Sequence, residues 1–128
     1  MFGLCHSSQT LHSISVTLSV LADGSQFTCM AVYAPTEHSE KQGFLEEISL
    51  LAPADSHPWI IFDDFNLVRF PDDKNNEAFH ATEAAWFNST IPDLALLEIP
   101  LLGRQFTWSN RRDNPTLVRL DRVVVNDA

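Results

Sequence analysis

Asp64 and Asn66 lie two residues apart, directly after a short apolar run that ends at Phe62. Carboxylates, waters and substrate phosphate are the usual surroundings of Mg²⁺ in proteins, and a neighbouring carboxamide can orient a nucleophile or hold a phosphoryl oxygen. Asp and Asn also end strands simply because they form turns. The pair therefore predicts either a phosphoester site with Asp64 as a magnesium ligand or an ordinary strand end.

Asp121 is a second carboxylate in an unusual position, inside an otherwise apolar stretch and close to Arg119 and Arg122. A carboxylate within a strand requires a partner or a ligand, because burying it unpaired is costly. The residue types leave two interpretations open: an active-site group, or a structural ion pair with one of the two arginines.

Aromatic and histidine side chains give weaker signals. Phe106 and Trp108 could stack on a base or a sugar, but aromatic residues in such a strand are more often core, and the pattern favours core. The histidines match no metal-binding spacing, so no role is assigned to them; they are His6, His12, His38, His57 and His80.

Length and composition predict one globular domain spanning the 128 residues, and they exclude low-complexity and repeat proteins. The net charge of −9 argues against a broad nucleic-acid groove. Between Ile99 and Asn126, however, five arginines face two aspartates, which leaves room for a local anion-binding surface. No apolar run is long enough to span a membrane. The absence of a leader-like start and the two widely spaced cysteines predict an intracellular protein, nuclear or cytoplasmic, with free thiols.

The first half of the chain predicts a hairpin, a helix and a buried strand. Strict alternation over residues 12–20 and an Asp23-Gly24 turn predict two strands, the second running from Gln26 to Tyr33. A helix is expected from Glu40 to Leu51, with Ser39 and Gln42 at capping-box spacing. Its predicted apolar face consists of Phe44, Leu45, Ile48 and Leu51. The polar link at residues 54–57 leads to the apolar run at residues 59–62, which predicts a fully buried strand.

The second half predicts a loop, a helix and two or three strands. The helix is expected over residues 77–89 and is ended by Pro92. Residues 94–102 are apolar but contain Pro100, so they predict a short strand or an irregular crossing. Strands are then expected at residues 105–108 and 116–125. The order of elements is typical of an α/β or α+β protein with a mixed, mainly antiparallel sheet.

The ordered set of motifs resembles the endonuclease/exonuclease/phosphatase domain, which has the DNase I-like fold. More narrowly, it resembles the endonuclease region of plant LINE-type retroelement proteins. The resemblance is strongest over residues 12–126 and rests on an ordered set: Val32-Tyr33-Ala34-Pro35, Phe44-Leu45, the run from Pro58 to Leu67, Arg69, Asp73-Lys74, Phe87-Asn88, the run from Gly103 to Asn110, and Leu120-Asp121-Arg122.

The resemblance implies part of a four-layer α/β sandwich and Mg²⁺-dependent cleavage of phosphoester bonds, with nucleic acid as a possible substrate. It assigns Asp64 and Asn66 to the scissile phosphate, with Asp64 also a candidate magnesium ligand. Tyr33 is assigned to phosphate contact and Asp121 to the active site. Substrate-binding roles are assigned to residues of the late matched segment, namely Trp108, Arg104 and Asn110.

Departures from the family pattern predict weak activity or none. Asp63 stands where the family has glycine, which permits a positive φ and adds no charge. The family also has an Asn and a metal-binding Glu before the first hairpin, and a Ser-Asp-His segment after the last strand. Neither feature has a match in this sequence. The expectation is therefore a truncated, inactive or weakly active nuclease domain of retroelement origin. The alternatives are a non-catalytic interaction module and a decayed gene remnant. The substrate, whether DNA, RNA or another phosphoester, and any protein partner stay undetermined.

Overall fold

A six-stranded mixed sheet is the centre of the structure, a computed structural model that describes residues 1–53, 57–76, 78–100 and 102–127. In chain order the elements are β1 (Phe2–Gln9), β2 (Ser13–Val20), β3 (Gln26–Tyr33), α1 (His38–Leu51), β4 (Trp59–Asp64), a 3₁₀ turn (Pro71–Asp73), α2 (Ala81–Asp93), β5 (Leu96–Glu98), β6 (Trp108–Ser109), β7 (Leu117–Val118) and β8 (Asp121–Asn126). The sheet order is β1-β2-β3-β4-β8-β5, and β6 pairs with β7 in a separate ribbon. Strands β3 and β4 are parallel, and the other neighbouring pairs of the large sheet are antiparallel, as predicted.

The predicted hairpin is confirmed as β2 and β3. Its turn contains Gly24 at φ 75°, a conformation that glycine adopts at no steric cost. The Asp23 carboxylate accepts hydrogen bonds from the backbone and the hydroxyl of Ser25 at 2.9 and 2.7 Å. The strand β1, which pairs with β2, was not predicted. Its side chains are almost all exposed, so backbone hydrogen bonds hold it at the sheet edge and no apolar periodicity marks it.

Helix α1 buries the predicted apolar face, formed by Phe44, Leu45 and Ile48. The predicted capping box is wrong. The helix begins at His38, two residues before the expected start, so Ser39 lies inside its first turn. Glu37 occupies the N-cap position without a side-chain cap.

Helix α2 continues past the residue that was expected to end it. Pro92 lies within its last turn, and the Leu94 N–H still donates to the Thr90 carbonyl at 3.1 Å. Proline removes only its own donor there, so a helix that stops one residue later tolerates it. The predicted start of this helix is wrong, because residues 78–80 are not helical and α2 begins at Ala81; residue 77 itself and the link at 54–56 lie outside the described residues.

Both helices pack on one face of the sheet, around a core that includes Met30, Ile61, Phe65, Phe87 and Val124. Helices and sheet thus form two layers of the expected sandwich. On β4, Trp59 and Ile61 are buried while Ile60 and Phe62 are only partly buried, so the prediction of a fully buried strand is wrong for one of its faces. Both cysteines are free thiols, and none of the helices in the described ranges is long and apolar enough to cross a membrane.

The late predicted strand at residues 116–125 is divided into β7 and β8. The division has a physical cause, because the backbone donors between them bond outside the large sheet. Arg119 N donates to the Asp73 carbonyl at 2.7 Å, and Leu120 N donates to the Thr107 hydroxyl at 2.9 Å. These bonds set the position at which β8 enters the sheet, with Asp121 as its first residue.

Candidate functional site

Three of the predicted site residues lie side by side on neighbouring strands. Asp64, the last residue of β4, is in register with Tyr33 on β3 and with Asp121 on β8. The Ala34 N–H donates to the Asp64 carbonyl at 2.9 Å, which fixes the end of β3 against the end of β4. The sheet therefore brings a phenol and two carboxylates together where these three strands begin or end, as expected for strand ends that carry a site.

Asp64 is in an electrostatic environment that favours a cation. Burial raises the pKa of its carboxyl group, and the negative charges of Asp121 and Asp63 raise the pKa further. A hydrogen bond from the Asn66 N–H at 2.8 Å and the charge of Lys41 act in the opposite direction without cancelling the shift. The excess negative charge at this strand end is what a bound cation would neutralise.

Asn66 is held rigidly beside Asp64. Its backbone has φ 47°, in the left-handed region that asparagine tolerates. Its side-chain amide donates to the Ala34 carbonyl at 2.8 Å, and its own carbonyl accepts a hydrogen bond from Lys41 Nζ at 2.7 Å. These two bonds orient the side-chain amide of Asn66 beside Asp64.

Lys41 is a site residue that the sequence analysis missed. It is 7% exposed and belongs to the apolar face of α1, three residues before Phe44 and four before Leu45. A lysine at such a position is a signal, because buried lysines are rare unless they are paired. Its ammonium group lies between Asn66 and Glu83.

A cavity of about 390 Å³ opens beside this strand end. Trp108 lines it and is 47% exposed, so the interpretation of Trp108 as core is wrong. The other lining residues that matter for chemistry are Tyr33, His38, Lys41, Asp64, Asn66, Lys74, His80 and Glu83. The histidines and Glu83 come from the first turns of the two helices and were not predicted to lie here.

The interpretation of Asp121 as a structural ion pair with Arg119 or Arg122 is wrong. Both arginines bind other carboxylates: Arg122 contacts Asp73 at 2.7 Å and Glu98 at 3.0 Å, and Arg119 contacts Glu98 at 2.6 Å. For Arg122, side-chain alternation along β8 explains this choice, since Arg122 points to the helix face and Asp121 to the opposite face. The same pairing removes two arginines from the anion-binding surface that the sequence suggested.

Arg104 and Asn110 are separate from the cavity that contains Asp64. Arg104 is exposed and lines a different, shallow depression beside Phe106 and Arg111. The Asn110 side-chain oxygen accepts hydrogen bonds from the backbone N–H groups of Arg112 and Thr116 at 3.2 and 3.1 Å. Asn110 thus closes the loop between β6 and β7, and the geometry gives it a structural use.

Asp63 has a backbone conformation that favours glycine. Its φ is 95°, and its side chain is exposed. A non-glycine residue with such a φ carries local strain, typically of about 1–3 kcal/mol. Glycine would adopt this φ without strain, whereas the aspartate adds both strain and charge beside Asp64.

The Asp63→Gly variant is expected to be more stable than the parent protein. Relief of strain exceeds the entropy that glycine adds to the unfolded chain, for a net gain of about 1 kcal/mol. A gain of this size corresponds to a rise in Tm of roughly 3–6 °C for a domain of this length. Thermal unfolding followed by circular dichroism measures it. The Asp63→Asn variant removes the charge but keeps the β-carbon, so its Tm should rise less, and a lower Tm for Asp63→Gly would contradict the strain.

The residues around Asp64 fit a magnesium ion. Mg²⁺ is held by one or two carboxylates, with waters and phosphate completing its coordination. Asp64 and Asp121 provide two carboxylates in register on adjacent strands, and burial, followed by the negative charges of Asp121 and Asp63, raises the pKa of Asp64. Asp64 and Asp121 are the residues that would hold the ion.

Comparison with solved structures identifies the fold. The chain superposes on the endonuclease domain of TRAS1, a telomere-specific non-LTR retrotransposon, with a TM-score of 0.74 and 15% identity, over 93% of this chain and 52% of that chain. An endonuclease/exonuclease/phosphatase family protein from Bacteroides thetaiotaomicron gives a TM-score of 0.58 at 13% identity, over 98% of this chain and 52% of that one. TDP2 from D. rerio, complexed with a single strand DNA product, gives 0.61 at 10% identity, over 99% and 54%.

These likenesses show that the chain has the DNase I-like fold of endonuclease/exonuclease/phosphatase proteins, as the sequence predicted. The chain spans about half the length of the solved structures that it matches. No protein-family model matches the sequence, and no curated protein matches it significantly.

Proposed function

We propose that this chain carries the phosphate-binding part of a Mg²⁺-dependent phosphodiesterase site, in a nuclease domain of retroelement origin that acts inside the cell. The observation that carries the proposal is the alignment of Tyr33, Asp64 and Asp121 on three adjacent strands, with Asn66 immediately beside them. The nuclease fold and the higher TM-score of the TRAS1 endonuclease domain among the structures compared support the class of substrate.

Each residue has a role that its surroundings support. One N–H of the Asn66 side-chain amide is bonded to the Ala34 carbonyl, and its second N–H would donate to a phosphoryl oxygen. The exposed Tyr33 hydroxyl would donate to the same phosphate, and Trp108 would stack on the adjacent base or sugar. Lys41 and Lys74 line the cavity and offset part of the negative charge that would otherwise repel a phosphodiester.

Magnesium would lower the barrier by stabilising negative charge on the phosphoryl oxygens. Hydrolysis also needs a general base, which typically contributes 10²–10⁴-fold in rate. In the described part of the chain, no histidine is hydrogen-bonded to Asp64 or Asp121. Instead, His12 is bonded to the Tyr33 carbonyl, His57 to the Thr28 hydroxyl and His38 to the Glu83 carboxylate. We therefore propose that the chain by itself binds a phosphodiester and cleaves it very slowly.

Binding of a short single-stranded oligonucleotide in the presence of Mg²⁺ tests the proposal. In an NMR titration, amide shifts should be largest at Tyr33, Asn66 and Trp108. The Asn66→Ala variant loses a hydrogen bond to a charged group, which is about 1.5–3 kcal/mol, so its affinity should fall roughly 10-fold or more. The Asn114→Ala variant, altered at an exposed turn residue, is the matched control and should bind as the parent does. Equal losses in both variants, or shifts that avoid the strand end, would contradict the site.

Nicking of supercoiled plasmid separates binding from turnover. The chain alone should produce no more Mg²⁺-dependent nicking than its Asp64→Ala variant. Rapid nicking that disappears in Asp64→Ala would show a complete active site and would overturn the expectation of slow cleavage, while leaving the assignment of Asp64 intact.

A further inference from the structure

His38, His80 and Glu83 form a cluster of metal-ligating side chains at the rim of the cavity. One ligand atom from each residue lies within 4.8 Å of the other two. The two imidazole rings face each other with centroids 4.4 Å apart and planes inclined by 36°, and His38 Nδ1 is hydrogen-bonded to Glu83 Oε2. We propose that this cluster is a second metal site, separate from Asp64 and Asp121, that takes a borderline divalent ion such as Zn²⁺.

The fold assembles the cluster from residues that are distant in sequence. His38 is the first residue of α1, His80 is the N-cap of α2, and Glu83 lies in the first turn of α2. The two helices pack on the same sheet face, and their N-terminal ends meet where the His38 and His80 rings lie against each other. The spacing of the histidines along the chain therefore contains no metal motif, although the three residues converge in space.

The donor set selects the class of ion. Two imidazole nitrogens and one carboxylate oxygen are a combination found in catalytic zinc sites, which leave a fourth position open. Imidazole suits zinc and other transition metals, whereas Mg²⁺ prefers oxygen ligands alone. Ligand atoms bonded at about 2.0–2.1 Å to a tetrahedral zinc are about 3.4 Å apart, and the exposed histidines can close the remaining gap by small rotations.

Glu83 is already oriented for this use. Its side chain is 12% exposed, and its Oε1 atom lies 3.5 Å from Lys41 Nζ, while Oε2 faces His38. One carboxylate oxygen thus holds the lysine and the other is directed to the cluster. An ion bound here would replace the proton shared between His38 and Glu83. All three residues line the cavity, so a water or a phosphate oxygen within it could reach the open position.

Calorimetric titration of the tag-free chain with Zn²⁺ tests the proposal, and Co²⁺ absorption in the visible region gives an independent readout. We expect one ion per chain. Binding should weaken by more than roughly 10–100-fold in His38→Ala and in His80→Ala, since that range is typical for residues that only support a ligand. Glu83→Gln should weaken it too, with its Tm recorded because Glu83 is partly buried.

Two controls make the outcome decisive. His6→Ala removes an exposed histidine on β1, outside the cluster, and should bind Zn²⁺ as the parent does. Asp64→Asn should also keep Zn²⁺ binding, so failure of the magnesium site and failure of this site are distinguishable. The proposal is overturned if no saturable binding occurs below about 1 mM, or if both histidine variants retain the parent affinity.

Discussion

The Arg122→Ala variant is expected to lose about 3–5 kcal/mol of unfolding free energy, because it breaks a buried ion pair from one side. The Arg122 side chain is 1% exposed and contacts Asp73 at 2.7 Å and Glu98 at 3.0 Å. It also donates to the carbonyls of Leu67 and Arg119, at 3.3 and 3.2 Å. Its removal leaves two carboxylates and two carbonyls without that donor in a site that water reaches poorly.

The Arg122→Ala substitution should also disturb the candidate site. The Asp73 backbone carbonyl accepts the hydrogen bond from Arg119 that separates β7 from β8, and the Asp73 carboxylate binds Arg122. Arg122 itself follows Asp121 directly in β8. We therefore expect Arg122→Ala to weaken Mg²⁺ binding as well as the fold.

Chemical denaturation with urea at pH 7.5 measures the effect, and Arg112→Ala is the matched control. Arg112 is exposed, and a surface substitution of this kind usually changes stability by less than about 0.5 kcal/mol. Similar urea midpoints for Arg122→Ala and Arg112→Ala would contradict the stabilising role of the buried contacts of Arg122 with Asp73 and Glu98.

The effect should also depend on pH. Burial alone would raise the pKa of Asp73, but the hydrogen bond and charge of Arg122, with backbone donors from Arg69 and Phe70, hold that pKa below its ordinary value. A lowered pKa gives stability that is present above the ordinary aspartate range and is lost as the pH falls through the folded-state pKa. The difference between the parent and Arg122→Ala should therefore shrink in acid.

The hairpin, the apolar face of α1 and the strand end at Asp64 were predictable because local periodicity determines them. The family pattern marked residue 63 as a position where the family has glycine, and the structure gives Asp63 a positive φ that glycine would adopt without strain. In contrast, β1 carries no apolar periodicity, and its place depends on backbone pairing with β2. The division of the last strand was equally hidden, since it arises from hydrogen bonds to Asp73 and Thr107, far away in the sequence.

The errors at the site have the same origin. Trp108 was assigned to the core because residue types alone do not show which face of the two-residue strand β6 packs against the protein and which face is exposed to solvent. For Asp121 the residue types left an ion pair and an active-site role open, and alternation along β8 puts it on the opposite face from Arg122. Lys41, His38, His80 and Glu83 meet only when two helices pack together, and single-element patterns do not encode that contact.

The Asp64→Asn variant is expected to lose Mg²⁺ binding and at the same time to gain stability at neutral pH. The folded protein binds the Asp64 proton more tightly than the unfolded chain does, because burial and the charges of Asp121 and Asp63 raise its pKa. The folded state then binds more protons than the unfolded state between the two pKa values. Stability therefore falls as the pH rises through that interval, and the ionised carboxylate is a net cost at pH 7.5.

Asparagine removes this cost and keeps the local hydrogen bond, since its side-chain oxygen can still accept from the Asn66 N–H. After allowance for solvent screening, we expect a Tm higher than that of the parent by roughly 1–3 °C at pH 7.5. The advantage should disappear below the ordinary pKa of an aspartate, where the carboxyl group is protonated in both states. A lower Tm for Asp64→Asn at pH 7.5 would mean that the carboxylate is compensated by groups other than those described.

Saturating Mg²⁺ is expected to reverse the order of the Tm values of the parent and Asp64→Asn. An ion that binds only the folded state stabilises it in proportion to the logarithm of its concentration over Kd. Saturating Mg²⁺ should therefore raise the Tm of the parent and leave that of Asp64→Asn nearly unchanged, with affinity lowered at least about 10-fold. Asp113→Asn, altered at an exposed turn, should respond to Mg²⁺ as the parent does. An equal Mg²⁺ response in all three proteins would place the ion away from Asp64. A Mg²⁺ response that is present in the parent and in Asp113→Asn but absent in Asp64→Asn would mean that the Asp64 carboxylate lowers stability without the ion and binds the ion when it is present, which is how a ligand behaves and a strand-ending turn residue does not.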